Sequence, residues 1–329
     1  MILVTGGAGY IGSHIVKELT GRGYKTAVLD NLSTGHRASV PEELSFFTAD
    51  LLDKEALDRA FETIRPGTVM HFAAKSIVPE SISRPLDTFY QNLTGTMNLL
   101  SAMQKHGTGK MVFSSTAAVY GEPADVPINE EHPLKPTNPY GESKLFIEKI
   151  MSRLADSGSL QYISLRYFNA AGADPDGHLG EDHRPETHLV PLILAAAAGK
   201  KDDLLIYGND YPTADGTAVR DYIHISDLAS AHILALEALL KGSKTRSVYN
   251  LGNERGYSVM EVIKKAKKVT GKNINFRFGP RREGDPSTLV AGSGRIKKEL
   301  KWQARHSDLE NIIETAWKWH QENPHGYRD

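Results

Sequence analysis

A glycine-rich turn near the start of the chain separates an apolar run from a segment with helical periodicity. Residues 2–4 are apolar and predict a buried strand, and residues 11–19 carry apolar side chains at the spacing of a helix. Gly6, Gly9 and Gly12 span the junction. In dinucleotide-binding folds, one such glycine forms the tight turn, one lets the backbone approach the pyrophosphate, and one lets the helix pack on the strand. The spacing predicts a dinucleotide site at the helix N-terminus.

An acidic residue ends the next predicted strand. The apolar run at residues 26–30 closes with Asp30, which lies 21 residues after Gly9. A carboxylate at this place hydrogen-bonds the adenosine ribose hydroxyls and would repel a 2′-phosphate. We therefore expect NAD as the cofactor, and nearby Arg37 is the feature that would favour NADP instead.

Strand patterns alternate with helical patterns through the first half of the chain. Such alternation is typical of βαβ units and predicts an α/β fold with a doubly wound parallel Rossmann sheet. Further strands are predicted at residues 26–30, 44–49, 68–72, 110–114, 162–166 and 248–251, and helices at residues 54–63, 87–106, 139–155 and 226–241.

The regular alternation ends near residue 169. Residues 172–187 are rich in Gly, Pro, Asp, Glu and His and predict a long loop, which inside a compact protein is usually functional. Helices are predicted at residues 258–270 and 309–321, among short strands. We expect a NAD-binding domain over residues 1–169, to which residues 223–252 return, and a smaller mixed α/β substrate domain over residues 170–329.

Composition and charge argue against several classes of function. The 39 Lys and Arg nearly balance the 40 Asp and Glu, so the formal net charge of −1 attracts neither nucleic acid nor an anionic membrane. The chain has no cysteine, which excludes disulfides, thiolate metal sites and thiol nucleophiles. Its glycine turn leaves no room for a signal peptide, and no apolar run approaches the ~20 residues of a membrane span. We expect a cytoplasmic protein.

A tyrosine and a lysine four residues apart predict the chemistry. Tyr140 and Lys144 share one face of a predicted helix whose first turn contains Pro139. A phenol has an ordinary pKa of about 10, and a neighbouring ammonium together with a positive nicotinamide ring would lower that pKa. Thr116 ends a predicted strand and offers a hydroxyl to the same substrate oxygen. These residues predict an alcohol oxidation in which Tyr140 takes the proton.

The motifs together resemble the extended short-chain dehydrogenase/reductase family over essentially the whole chain. The first half would fit many members of that family, whereas the late segments are similar to those of members that epimerise UDP-hexoses. The segments that carry the resemblance are residues 4–14, 71–81, 113–121, 140–144 and 165–172, followed by residues 207–213, 219–224 and 280–285.

The resemblance implies reversible 4-epimerisation of UDP-glucose and UDP-galactose, a reaction of galactose metabolism. Tyr140 would remove the proton of the sugar 4-hydroxyl while the C4 hydride passes to NAD. The 4-keto sugar would then turn over in the site and receive the hydride on its opposite face. NAD is regenerated in each cycle and is expected to stay bound. The family also implies a homodimer built on the helices at residues 87–106 and 139–155.

Site residues follow from the resemblance, position by position. Beyond the three glycines and Asp30, the residues implied for NAD are Tyr10, Ile11, Asn31, Ser33, Thr34, Gly35, Asp50, Leu51, Phe72, Ala73, Ala74, Asn92, Lys144 and Phe168. The residues implied for the UDP-sugar are Thr116, Tyr140, Asn169, His188, Leu189, Tyr207, Arg220, Arg282, Asp285 and Leu289. Tyr207 would stack on uracil, and the two arginines would bind the diphosphate, for which their planar donor sets are suited.

Two positions depart from the family pattern. Where a lysine often meets the pyrophosphate, this chain has Ser76 with Lys75 beside it, and either side chain could take that role. Leu289 stands where members of narrow specificity have a bulky tyrosine. The smaller side chain leaves room for a 2-acetamido group and implies that UDP-N-acetylglucosamine and UDP-N-acetylgalactosamine are also substrates.

Other interpretations are weaker. His178, His183, Glu186 and His188 are spaced like no common metal site, and the predicted chemistry needs no metal, so none is expected. A sugar-nucleotide 4,6-dehydratase would need an acid and a base just after Thr116, where this chain has two alanines. A UDP-glucuronate decarboxylase would differ only in the substrate segments. A non-catalytic NAD sensor would have no use for the proton relay.

Overall fold

Seven parallel strands form the central sheet of the computed structural model, which describes residues 1–282 and 284–328. The strands of the molecule are β1 (Ile2–Thr5), β2 (Thr26–Asp30), β3 (Ser45–Thr48), β4 (Thr68–His71), β5 (Lys110–Thr116), β6 (Gln161–Tyr167), β7 (Asn169–Ala171), β8 (Leu204–Tyr207), β9 (Val219–His224), β10 (Arg246–Leu251), β11 (Gly256–Ser258), β12 (Phe276–Gly279) and β13 (Thr288–Leu289). The central sheet has the order β10-β6-β5-β4-β1-β2-β3.

Helices cover both faces of this sheet. They are α1 (Tyr10–Gly21), α2 (Lys54–Ile64), α3 (Val78–Ser83), α4 (Pro85–Phe89), α5 (Gly95–Lys105), α6 (Pro139–Asp156), α7 (Leu189–Ala197), α8 (Ile225–Leu240), α9 (Val259–Thr270), α10 (Gly294–Leu300) and α11 (Leu309–Glu322). On one face, apolar residues of α1 and α8 form a core with the strands; on the other face, α2, α5 and α6 do the same. The predicted fold class is confirmed.

The strand order places a ligand site at one edge of the sheet. The chain winds outward from β1 in one direction to β3 and then crosses back to β4, which lies on the other side of β1. Loops that follow β1 and β4 therefore diverge to opposite faces and leave a crevice at the carboxyl ends of the strands. Every neighbouring pair in the sheet is parallel, so all seven carboxyl ends face this crevice.

A second group of elements borders the crevice. Strand β9 pairs with β7, β11 and β13, and β8 pairs with β12. Helices α7, α9 and α11 enclose an apolar core around them. Residues 172–188, between β7 and α7, form no helix or strand, as the composition of this segment predicts.

The helix predicted at residues 87–106 differs from the one observed. It begins at Pro85 and consists of α4, a π-helical segment (Tyr90–Thr94) and α5. Asn92 lies in the π segment, a feature that apolar periodicity does not reveal. Helix α3 was not predicted, because it is short and begins with a proline-containing turn. Over the described residues, no helix is long and apolar enough to cross a membrane.

Candidate active site

A cleft of about 1230 Å³ opens at the carboxyl ends of the central strands. This volume exceeds the roughly 300–1,000 Å³ of a pocket for one drug-sized ligand, so a dinucleotide and a second molecule can share it. Each residue predicted for catalysis, cofactor or substrate lines this cleft except Gly35. A Cβ at Gly35 would lie 2.8 Å from the backbone carbon of Ala8. The glycine there permits close packing behind the turn and does not face the cleft.

The first turn after β1 packs closely because of its glycines. Gly6 has φ +73°, and a Cβ there would lie 2.5 Å from the backbone nitrogen of Ala73. A Cβ at Gly12 would lie 2.1 Å from the carbonyl oxygen of Gly6. At Gly9, the nearest atom would be 3.5 Å away. The first and third glycines thus let the turn lie close to the loop after β4 and to the start of α1, while the second leaves its surface free for a ligand.

Two carboxylates border the part of the cleft beyond this turn. Asp30 accepts from the backbone nitrogens of Ala8 and Leu32 at 2.9 Å each, so it is fixed against the glycine turn. Burial raises the pKa of Asp30, and these backbone donors oppose that rise. Asp50 accepts from the Asn31 amide at 2.7 Å and from the backbone nitrogen of Leu52 at 2.8 Å.

These features fit a dinucleotide. Gly9 is the N-cap of α1 and makes no side-chain capping bond, so the first backbone donors of the helix can bind phosphate oxygens. The fixed Asp30 carboxylate lies where ribose hydroxyls would donate. A Cβ on Gly12 would clash with the carbonyl oxygen of Gly6 and force the turn open, which explains why the position holds glycine.

Tyr140, Thr116 and Lys144 come together on the far side of the cleft. Tyr140 and Lys144 lie in the first turns of α6, which begins after Asn138; the Asn138 side chain accepts from the Gly141 nitrogen at 2.9 Å. Thr116 ends β5, and its hydroxyl is near enough to the Tyr140 phenol to lower the pKa of that phenol. The Lys144 ammonium lies 6.0 Å from the centre of the Tyr140 ring and donates to the Ser114 carbonyl at 2.8 Å. The predicted constellation is therefore assembled in space.

Burial dominates the ionisation of this pair. It raises the pKa of Tyr140 to about 12, and the neighbouring Thr116 hydroxyl opposes that rise. It also lowers the pKa of Lys144 to about 7, while the charge of Glu148 acts in the opposite direction. The sequence predicted a lowered phenol pKa because of the ammonium and the nicotinamide together. Among the protein's own groups that lowering does not occur, because burial of the phenol itself raises its pKa.

A buried polar network lies one helical turn beyond Lys144. Glu148, one turn further along α6, accepts from Arg166 at 2.6 and 3.0 Å and from Ser115 at 2.6 Å. Arg166 also donates to the Tyr120 hydroxyl at 2.9 Å. Because every member is paired, α6 is fixed against β5 and β6 at the level of the catalytic residues.

Asn92 ties the loop after β4 to α6. Its amide oxygen accepts from the Lys75 nitrogen at 2.8 Å, and its amide nitrogen donates to the Lys75 carbonyl at 3.0 Å and to Ser143 at 2.9 Å. Lys75 and Ser76 both line the cleft, and the Lys75 ammonium lies 3.1 Å from Glu80. Asn92 therefore positions this loop through its backbone.

The opposite wall carries the residues predicted for the substrate. Arg220 pairs with Asp285 and donates to the carbonyl of Val219 at 2.8 Å. Arg282 stacks on the Tyr207 ring, with 4.0 Å from its guanidinium carbon to the ring centre. A half-buried guanidinium at Arg220, an exposed one at Arg282 and an exposed aromatic ring are suited to a diphosphate and a base.

Asn169 and Leu289 border the space between the two walls. The Asn169 amide donates to the Asp221 carbonyl at 3.0 Å. Leu289 packs with Phe168 in a small apolar cluster beside the catalytic helix.

The long loop contributes a group that the sequence did not single out. Glu181 lines the cleft with His183 and His188, and its side chain is 5% exposed. A buried glutamate in a polar loop has no periodic signal, so only its contacts reveal it. His188 was assigned to the substrate, but its Nδ1 lies 2.7 Å from Glu181.

Comparisons with known proteins agree with this site. The profile of the NAD dependent epimerase/dehydratase family matches residues 2–252. A UDP-glucose 4-epimerase of Lacticaseibacillus casei is 53% identical over 100% of this chain and 99% of its own. A UDP-glucose 4-epimerase of Bifidobacterium longum in complex with NAD+ and UDP has a TM-score of 0.94 at 38% identity, covering 99% of each chain. The UDP-Glc/GlcNAc 4-epimerase of Campylobacter jejuni has a TM-score of 0.84 at 40% identity, covering 98% of this chain and 99% of its own.

Proposed function

The chain belongs to the NAD dependent epimerase/dehydratase family, and from this premise we propose that it interconverts UDP-glucose and UDP-galactose by inverting C4 of the sugar, a reaction of galactose metabolism. The observation that carries the proposal is that Tyr140 and Thr116 line one cleft together with the glycine turn and Arg220. NAD is the cofactor, in agreement with its relatives.

Bound NAD supplies a hydride acceptor and donor at the sugar C4. Tyr140 takes the proton of the 4-hydroxyl and later returns it, and Thr116 holds the same oxygen within reach. Lys144 is fixed by its hydrogen bond to the Ser114 carbonyl, so its ammonium keeps a constant place beside the phenol. The residues of the glycine turn and Asp30 hold the dinucleotide.

The substrate is held at its UDP end, which leaves the sugar free to turn. Arg220 and Arg282 bind the diphosphate, Tyr207 stacks on the base, and Asp285 accepts from the ribose. The elements before residue 170, with β10 and α8, hold NAD, and the remaining elements hold UDP. Because this grip ends at the diphosphate, the sugar can turn and present either face of C4 to bound NAD.

The geometry disfavours dehydration. A 4,6-dehydratase needs an acid and a base beside the oxidised sugar, at the positions that follow Thr116. Ala117 and Ala118 occupy these positions and line the cleft. Their methyl groups transfer no proton, so oxidation at C4 is followed by return of the hydride.

NMR of UDP-galactose incubated with the purified protein tests the proposal, with no nucleotide added. We expect UDP-glucose to appear, because NAD that is regenerated in each cycle need not be supplied. An unchanged spectrum from protein shown to contain NAD would contradict 4-epimerisation of these sugars. The same experiment with UDP-N-acetylglucosamine tests the breadth of the substrate, which we propose from the space beside Leu289.

We further propose that the enzyme acts in the cytoplasm as a homodimer built on α4, α5 and α6. Apolar side chains are exposed on these helices: Leu86 at 81%, Tyr90 at 59%, Phe146 at 45% and Met97 at 44%. Large apolar side chains that are exposed on neighbouring helices are typical of an interaction surface. Light scattering of the wild type and of Leu86→Glu tests it; a dimeric mass for both would contradict this interface.

A further inference from the structure

Four side chains of the long loop converge on one point beside the glycine turn. They are Glu181, His183, Glu186 and His188, and one ligand atom of each lies within 4.8 Å of the others. The Nδ1 atom of His188 lies 2.7 Å from Glu181 Oε1 and 3.3 Å from Glu186 Oε1. The Nδ1 atom of His183 lies 3.2 Å from Glu181 Oε1 and 3.7 Å from Glu186 Oε2.

These distances match the first shell of a metal ion. Four nitrogen and oxygen ligands at 2.0–2.2 Å from a tetrahedral ion lie about 3.3 Å from one another. The four contacts in the loop scatter around that value. Sequence spacing alone gave no such indication, because the loop folds back on itself between Glu181 and His188.

Two of the converging atoms are buried and lack a hydrogen bond. Glu181 Oε1 and His183 Nδ1 have no hydrogen-bond partner among the described residues, although each lies close to the other. Glu181 is the more informative, because its side chain is 5% exposed. In an ion pair between these groups the N–H would point at the oxygen. Here the atoms are close without that alignment, as expected for lone pairs directed at a shared ion.

Glu186 is already oriented for such a role. Its Oε1 accepts from the backbone nitrogens of Thr187 and His188 at 2.7 and 2.8 Å. Such outer hydrogen bonds fix metal-binding carboxylates.

We propose that these four residues bind one divalent ion of the zinc class. Imidazole nitrogen combined with carboxylate oxygen suits zinc and its neighbours in the first transition row, whereas magnesium and calcium prefer oxygen alone. This proposal replaces the sequence-based prediction of no metal. It adds nothing to the hydride chemistry, which needs no metal.

The ion would fasten the loop to the cofactor turn. Tyr10 is the first residue of α1, and its ring meets the His183 ring edge-on with centroids 6.4 Å apart. Its hydroxyl donates to the Gly172 carbonyl at 2.6 Å, at the start of the same loop. A closed ion site thus holds residues 172–188 against the turn that binds the pyrophosphate.

Metal content of the protein without a polyhistidine tag tests the proposal. The protein is stripped with a chelator, dialysed against equimolar Zn²⁺, and measured by elemental mass spectrometry. We expect about one zinc per chain in the wild type and in His178→Gln, whose side chain lies in the same loop outside the cluster. His183→Gln should retain less than a tenth of that amount.

Absence of bound zinc in the wild type, or full retention by His183→Gln, would overturn the proposal. Loading the wild type with Co²⁺ gives a second measurement that needs no variant. Visible d–d bands that saturate at one equivalent support a tetrahedral site of nitrogen and oxygen ligands. A spectrum identical to aqueous Co²⁺ would overturn it, even where His183→Gln fails to fold.

Discussion

Burial sets the protonation states of Tyr140 and Lys144. Burial raises the pKa of Tyr140 to about 12 and lowers the pKa of Lys144 to about 7. The protein therefore keeps the phenol protonated until a positive charge enters the cleft. The Tyr140 phenolate therefore forms only beside oxidised cofactor. This suits a reaction in which the same group first takes a proton and later returns it.

Replacement of Tyr140 by phenylalanine tests its role as acid and base. We expect kcat to fall by about 10²- to 10⁴-fold, the usual contribution of such a group, with NAD still bound. Turnover by NMR and NAD content after denaturation give the two values. Tyr162→Phe is the matched control, since Tyr162 is buried in β6 outside the cleft. Equal loss in both variants would point to damaged packing instead of lost chemistry.

The substitution Leu289→Tyr tests the breadth of the substrate. Leu289 is half-buried beside Phe168 and lines the cleft. A phenol ring there would fill the space proposed for an acetamido group, so kcat/KM for UDP-N-acetylglucosamine should fall by at least tenfold while that for UDP-galactose changes little. Equal rates on the acetamido sugar before and after the change would refute the proposal.

At the scale of elements, the junction of β1 and α1 depends on close backbone contacts. The carbonyl of Gly6 lies where a Cβ of Gly12 would be, and Gly6 itself lies against Ala73 of the loop after β4. The dinucleotide turn is thus a packing unit of three elements, which a change at one glycine would open.

Gly12→Ala should weaken NAD binding, whereas a control substitution at the end of the same helix should leave NAD binding unchanged. We expect bound NAD to fall by more than about tenfold, which corresponds to roughly 1.4 kcal/mol. Gly21→Ala is the control, because Gly21 ends the same helix and a Cβ there meets nothing within 4 Å. That change should raise the free energy of unfolding by up to about 0.5–1 kcal/mol. NAD retention after gel filtration distinguishes the two, and equal retention would contradict the packing argument.

The elements that sequence could predict are those with a local signal. Apolar runs and periodicity predicted the seven central strands and most helices, and the glycine spacing predicted the turn. The π-helical segment around Asn92 and the convergence of Glu181 with His188 could not be predicted, because both depend on contacts between segments. A lowered phenol pKa was expected from a neighbouring charge, whereas the burial of the phenol that raises its pKa is visible only in three dimensions.

The whole molecule contains several histidines that are buried in neutral form. Burial lowers the pKa of His71 and His224 to about 3 and that of His232 to about 4. His232 lies between Phe72 and Tyr167 under the cleft, with ring centroids 5.0 and 6.1 Å away. Each of these groups binds a proton more readily in the unfolded chain, so together they make the fold sensitive to acid.

His232→Leu should reduce that sensitivity. The folded pKa of about 4 lies below the unfolded value of 6.5, so the stability present above pH 6.5 is lost as the pH falls towards 4. Between pH 7 and pH 5, the free energy of unfolding of the variant should fall by about 2 kcal/mol less than that of the wild type. Urea unfolding at pH 7 and pH 5 measures the difference. His178→Leu, at an exposed site, should keep the wild-type slope; an unchanged slope in His232→Leu would contradict the assignment.

The position of β10 at one edge of the central sheet has a consequence for biosynthesis. Its partner β6 ends at Tyr167, but β10 begins at Arg246, so β6 keeps an unpaired edge while the intervening residues are being translated. An open strand edge is a template for pairing with other chains. The nascent protein therefore depends on rapid arrival of its later half, and a gene cut after residue 169 would yield a sheet with an exposed edge prone to aggregation.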